Sequence, residues 1–133
     1  MYRLAMILAV CFFAFILWVI YLANHGRPSL FFEFVQSFPN GDKLGHFCLF
    51  GTLTLLSIVA TKFKSFPLGK LNIYYGFLLV ALFVLSEELS QAFISTRTFD
   101  LIDLSADAAG ILVSTCLAKA VEKRLNKMGK LGK

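Results

Sequence analysis

"VLSEELSQAFISTRTFDLIDLSAD", residues 84–107, sets two adjacent glutamates, an arginine and three aspartates into a chain that is 58% hydrophobic. In a water-soluble protein this would be an ordinary surface segment. The flanks argue otherwise, because apolar runs of roughly 20 residues stand on both sides, the length that crosses about 30 Å of hydrocarbon at about 1.5 Å per residue. An ionised group in that setting is costly unless paired or wetted. The stretch therefore reads as the polar end of two apolar helices, and the rest of the chain is read outward from it.

At 133 residues the chain suits one domain, and fifteen Phe with only 16% charged residues would leave a soluble globule with too much apolar surface. The class is an all-α integral membrane protein. Cys11, Cys48 and Cys116 lie singly in apolar runs, which points to packing residues rather than a disulfide framework or thiolate metal site. A net charge of +5 raises nucleic acid as a partner, but the basic residues are not interleaved with aromatics on a soluble face. Nucleic acid is excluded, and topology accounts for the charge.

Four spans are expected, about 4–23, 44–61, 71–93 and 102–121. The first has an apolar core too long for a signal h-region and a poor cleavage site in "IYLANHG", so it reads as an uncleaved anchor. With the amino end inside, ten of the thirteen Lys and Arg fall on the cytoplasmic side and seven of the eight acids on the outer half. Both termini are thus expected to be cytoplasmic. Phe31, Phe34, Val35 and Phe38 follow a helical stripe within about 29–38, which suggests a short amphipathic helix in the outer interface. The basic segment 122–133 reads as a cytoplasmic tail facing anionic lipid.

Three spans bring ionisable groups to one level. Asp42, Lys43 and His46 share a flank of the first turn of span two; Glu87, Glu88 and Gln91 share the last turns of span three; Asp103, Asp107 and Gly110 form a stripe at the start of span four. Arg97 and Asp100 stand in the loop before span four. Taken singly, Asp42 and Asp103 also suit helix caps, and Arg97 with Asp100 a loop ion pair. Taken together, an ionisable cluster facing a bundle interior reads as a functional site.

At these residues the sequence resembles the VanZ-like family, small membrane proteins named for a member associated with resistance to the lipoglycopeptide teicoplanin. "DKLGHFCLFG" is similar to the first family motif through Asp42, Lys43, His46, Phe47, Phe50 and Gly51. "ELSQAFISTR" is similar to the second through Glu88, Gln91, Phe93 and Arg97, and Asp103, Asp107 and Gly110 fit the third. Asp107 stands where the family usually has Asn, and Ser95 replaces a common Pro before the Arg. The resemblance covers Asp42 to Gly110, about half the chain, and implies one VanZ-like domain over 1–133: a four-helix membrane bundle in the bacterial inner membrane, with a link to glycopeptide or envelope-stress resistance.

The expected function is binding of an anionic lipid or lipid-linked envelope precursor, with lipoglycopeptide as a further partner class. Asp42, Lys43, His46, Glu88, Gln91, Arg97, Asp103 and Asp107 form the ligand site, with Lys43 and Arg97 meeting phosphate and Phe31, Phe34 and Phe38 meeting the tail. The alternative is an intramembrane hydrolase or phosphotransferase with His46, Glu88 and Asp103 as catalytic candidates. No cofactor is expected and no metal role is assigned, although His46, Glu88, Asp103 and Asp107 make a nitrogen and oxygen set of the kind that holds a divalent ion. A glutamic intramembrane protease would need Arg at the position of Ala92. A third reading is structural, with polar residues as interhelical glue and Gly51, Gly76, Gly110 and Ser114 permitting close approach.

Overall fold

The computed structural model describes residues 2–24, 37, 39, 41–93 and 101–129. It is mostly helical: α1 (Tyr2–Asn24), α2 (Gly41–Ala60), β1 (Ser65–Leu68), β2 (Leu71–Tyr74), α3 (Tyr75–Gln91) and α4 (Leu101–Lys127). Helices α1, α2 and α4 are long and apolar enough to cross a membrane. Their outer faces carry large apolar side chains, among them Leu4, Ile7, Val10 and Trp18 on α1 and Ile102, Val113 and Leu117 on α4. That distribution suits lipid as the solvent rather than water. The expected interfacial helix, about 29–38, lies outside the described residues apart from Ser37, as does Arg97.

The third expected span is corrected. Leu71–Tyr74 is a strand, not helix, paired antiparallel with Ser65–Leu68 in the register Phe66↔Ile73 and Leu68↔Leu71, so a short hairpin interrupts the otherwise helical chain. Gly69 and Lys70 form the two-residue loop, with Gly69 at φ +64, the left-handed region that favours glycine. Hydropathy does not register such a hairpin, because Leu71, Ile73 and Tyr74 are as apolar in a strand as in a helix. Helix α3 then has 17 residues, about 26 Å at about 1.5 Å each, short of the expected 23-residue span. The expected tail, 122–133, begins as a continuation of α4, which stays helical through Lys127.

Helix α2 ends where Phe63 N–H bonds back to the Ile58 carbonyl at 3.0 Å, with Lys62 and Phe63 at φ 59 and 57. Left-handed residues satisfy the last carbonyls of a helix but cost about 1–2 kcal/mol each without glycine. Phe63 offsets this by burying its whole ring against Ile58, Tyr74 and Ala118. The same packing holds the hairpin, since a lone two-stranded hairpin is marginal.

Helix α2 is the centre of the molecule, touching α1, α3 and α4. The core joins Ile16, Phe50, Leu53, Val80, Val84 and Ile111, one or two from each helix. Small residues set the spacing. A Cβ on Gly110 would stand 2.3 Å from the Phe47 carbonyl oxygen, and one on Gly51 would stand 3.0 Å from Ser114 Oγ. These contacts run in the same order along both helices, so α2 and α4 are parallel and their first turns lie side by side. On the opposite flank a Cβ on Gly76 would meet Ile58 N at 2.5 Å. The start of α3 therefore sits at the end of α2, and its last turns return to the level where α2 and α4 begin.

Candidate functional site

That antiparallel return brings α3 to the polar level. His46 Nδ1 lies 2.8 Å from Asp107 Oδ1 across the α2–α4 seam. With a carboxylate as acceptor, Nδ1 is the donor, which leaves Nε2 as the lone-pair nitrogen. Nε2 faces Asp103 Oδ2 at 3.9 Å, and Glu88 Oε1 of α3 approaches Nδ1 at 3.9 Å. Lys43 Nζ pairs with Asp103 Oδ1 at 3.0 Å. Carboxylates on α3 and α4 are thus directed at one imidazole on α2.

Burial is graded across the cluster. Lys43, Asp103 and His46 are partly open, at 27%, 16% and 21% side-chain exposure, whereas Glu88 is 1% exposed and Asp107 is fully buried. No N–H donor reaches either carboxylate oxygen of Glu88 or Oδ2 of Asp107 among the described residues, and the two carboxyl groups stand within hydrogen-bond reach of each other. Such groups are rare and costly in a finished interior. The open rim is mixed in charge and the floor is acidic.

Of the expected site residues, Lys43, His46, Glu88, Asp103 and Asp107 are brought within this cluster. Gln91 is buried beside it and donates from Nε2 to both oxygens of Glu87 at 2.9 Å. Asp42 stands in the first turn of α2, and Arg97 is outside the described residues. Glu87 is not among the expected ligands, yet it is buried and paired with Gln91 one helical turn away. That four-residue spacing, which Glu88 lacks, is the sequence signal that marks it.

An apolar cleft of about 230 Å³ opens between α3 and α4, lined by Phe77, Ala81, Val84 and Leu85 on one side and Leu104, Ala108, Ile111 and Leu112 on the other. Val84 is one turn from Glu88, and Ile111 one turn from Asp107. The cleft therefore begins directly against the polar cluster.

A second polar region lies at the other end of the molecule. Ser65, Lys70, Asn72, Tyr74, Lys119, Glu122 and Lys123 line a cavity of about 420 Å³ beneath the hairpin. Burial and the Glu122 carboxylate beside it push the Tyr74 hydroxyl up to about 12. The one-turn spacing of Lys119 and Lys123 is the sequence signal available for this region.

No family model, curated protein or solved structure matches the chain. The chemistry of the cluster rests on its own residues.

Proposed function

We propose that the chain is a VanZ-like multi-pass protein of the bacterial inner membrane that binds an anionic amphiphile, either a phospholipid or a lipid-linked envelope precursor. In this reading α3 is a short fourth crossing, both termini are cytoplasmic, and the polar cluster faces the outer leaflet. The headgroup sits at the cluster, with Lys43 as cationic contact and His46, Glu88 and Asp103 meeting its hydroxyls. The tail lies between α3 and α4.

One observation carries the proposal: a cleft lined by apolar side chains and a cluster of polar ones occupy successive turns of the same two helices. An amphiphile has that sequence of chemistries along its own length. The test is native mass spectrometry of protein extracted in mild detergent. Ala81→Trp, which fills the cleft, and Lys43→Met, which removes the rim cation, should each lower retention of a co-purifying anionic lipid, whose mass separates phospholipid from prenyl phosphate. Retention unchanged in both variants refutes the reading.

The 2.8 Å contact between His46 and Asp107 favours a second reading, an intramembrane hydrolase or phosphotransferase. A carboxylate on Nδ1 orients the ring and leaves Nε2 to accept a proton from water or a hydroxyl. Release of headgroup from the retained lipid that stops in His46→Asn supports it; lipid retained intact over long incubation by wild-type protein contradicts it.

A further inference from the structure

We infer that His46, Glu88 and Asp107 form a binding site for a divalent transition-metal ion of the Mn²⁺ or Zn²⁺ class. One donor atom from each of these three residues, which come from three different helices, lies within 4.8 Å of the other two. For an ion about 2.1 Å from each ligand, adjacent octahedral donors stand about 3.0 Å apart and opposite ones about 4.2 Å apart. The separations of 2.8 Å from His46 Nδ1 to Asp107 Oδ1 and 3.9 Å to Glu88 Oε1 lie close to that range.

The acids alone would not make a site. What points to a ligand is that Glu88, 1% exposed, directs Oε1 toward the imidazole and faces the Asp107 carboxyl, with no N–H donor on either of its oxygens among the described residues. Asp107 is fully buried and likewise has no N–H donor on Oδ2 among them. Two such carboxyl groups side by side in an apolar bundle can both be ionised only beside a compensating charge, and a dication supplies it in place of a proton shared between them.

The imidazole is arranged to accept the ion. When metal takes Nδ1, the ring proton moves to Nε2, which faces the Asp103 carboxylate in a charge contact at 3.9 Å. Lys43, at 3.0 Å, holds Asp103 in turn. A carboxylate behind the second ring nitrogen is the usual outer support of a metal-bound histidine. The donor set of one imidazole and two carboxylates suits Mn²⁺, Fe²⁺ or Zn²⁺, and a set without thiolate argues against Cu(I). Three protein donors leave coordination positions open toward the partly exposed rim. The inference stands without the lipid reading. Where both hold, the ion supplies the positive charge that an acidic pocket needs to bind phosphate.

The test uses the full chain, without a histidine tag, in nanodiscs of zwitterionic lipid after chelator treatment, titrated with Mn²⁺ and followed by electron paramagnetic resonance. The expected result is one Mn²⁺ per chain, with nitrogen modulation of its spin echo and displacement by Zn²⁺. His46→Asn should remove the modulation. Asp107→Asn and Glu88→Gln should weaken binding beyond the roughly tenfold loss expected of Asp103→Asn, which disturbs only the support. Absence of stoichiometric Mn²⁺ in wild-type protein, absence of nitrogen modulation, or binding unchanged in both Asp107→Asn and Glu88→Gln overturns the inference. If a variant does not assemble, the wild-type stoichiometry and modulation decide. Lipid retention is measured separately in the untitrated protein, so failure of the metal site and failure of the amphiphile reading give different results.

Discussion

Replacing Gly110 with alanine adds a single carbon at the point where α4 crosses α2. That carbon would stand 2.3 Å from the Phe47 carbonyl oxygen, with the Phe47 Cα at 3.2 Å. A carbon and a carbonyl oxygen rest at about 3.3 Å or more, so the helices must separate locally by about 1 Å. The obstacle is backbone, which cannot rotate aside. Overpacking of this kind costs about 1–3 kcal/mol. At about 2 kcal/mol the folded-to-unfolded ratio drops roughly 30-fold, since about 1.4 kcal/mol is tenfold. Asp107 lies on the same face one turn earlier, so the same separation stretches its 2.8 Å contact with His46 beyond hydrogen-bond length. Gly51→Ala is the milder comparison: its Cβ would meet Ser114 Oγ at 3.0 Å, a side-chain atom that can turn away, and the Gly110 carbonyl oxygen at 3.1 Å, a far smaller overlap with backbone than at Gly110. The assay is fraction folded in nanodiscs under a denaturant or thermal ramp, run beside metal and lipid binding. Gly110→Ala should be the less stable of the two and should lose ligand binding at temperatures where it remains folded. Equal stability of the two variants would refute the reasoning that backbone contact at Gly110 sets the α2–α4 spacing.

Gly76→Ala, whose Cβ would meet the backbone at Ile58 N and Ser57 C at 2.5 and 2.7 Å, should destabilise comparably while ligand affinity of the folded fraction stays unchanged, because it acts at the far end from the cluster. Phe63→Ala removes a fully buried ring from the hairpin anchor and should cost about 3–5 kcal/mol, read as loss of folded protein. The Tyr74 hydroxyl, held up to about 12 in the folded protein against 10.0 ordinarily, should show its phenolate absorbance only toward that higher pH. Because the folded value is the raised one, its contribution to stability is full below pH 10 and is lost as pH climbs toward 12; Tyr74→Phe should abolish that dependence.

Helices α1, α2 and α4 are legible in the sequence because unbroken apolar length is what a membrane demands of a helix. The start of the third element is not, since "PLGKLNIY" is apolar enough to extend a span and only Gly69, Pro67 and the alternation around Ile73 hint at strands. The end of α4 is hidden because Glu122 to Lys127 is polar and still helical. Within the cluster, periodicity sets which residues share a face of one helix, so His46 with Lys43, and Asp103 with Asp107, can be grouped from spacing. Which faces meet depends on helix approach, fixed here by Gly51, Gly76 and Gly110. No spacing rule pairs His46 Nδ1 with Asp107 rather than with Glu88; the four-residue spacing marks Glu87 as the partner of Gln91, but none turns Glu88 to His46. The apolar cleft is also out of reach, being a gap between two helices rather than a property of either.

The placement of an amphiphile between α3 and α4 is tested most directly by photocrosslinking in native membranes. p-Benzoylphenylalanine is placed at Leu112, which lines the cleft, and separately at Val10, on the outward face of α1. The expected result is that Leu112 captures a phosphate-bearing anionic amphiphile far above its share of the membrane lipid, whereas Val10 captures lipids in proportion to the bilayer. Identical capture at the two positions would contradict the account.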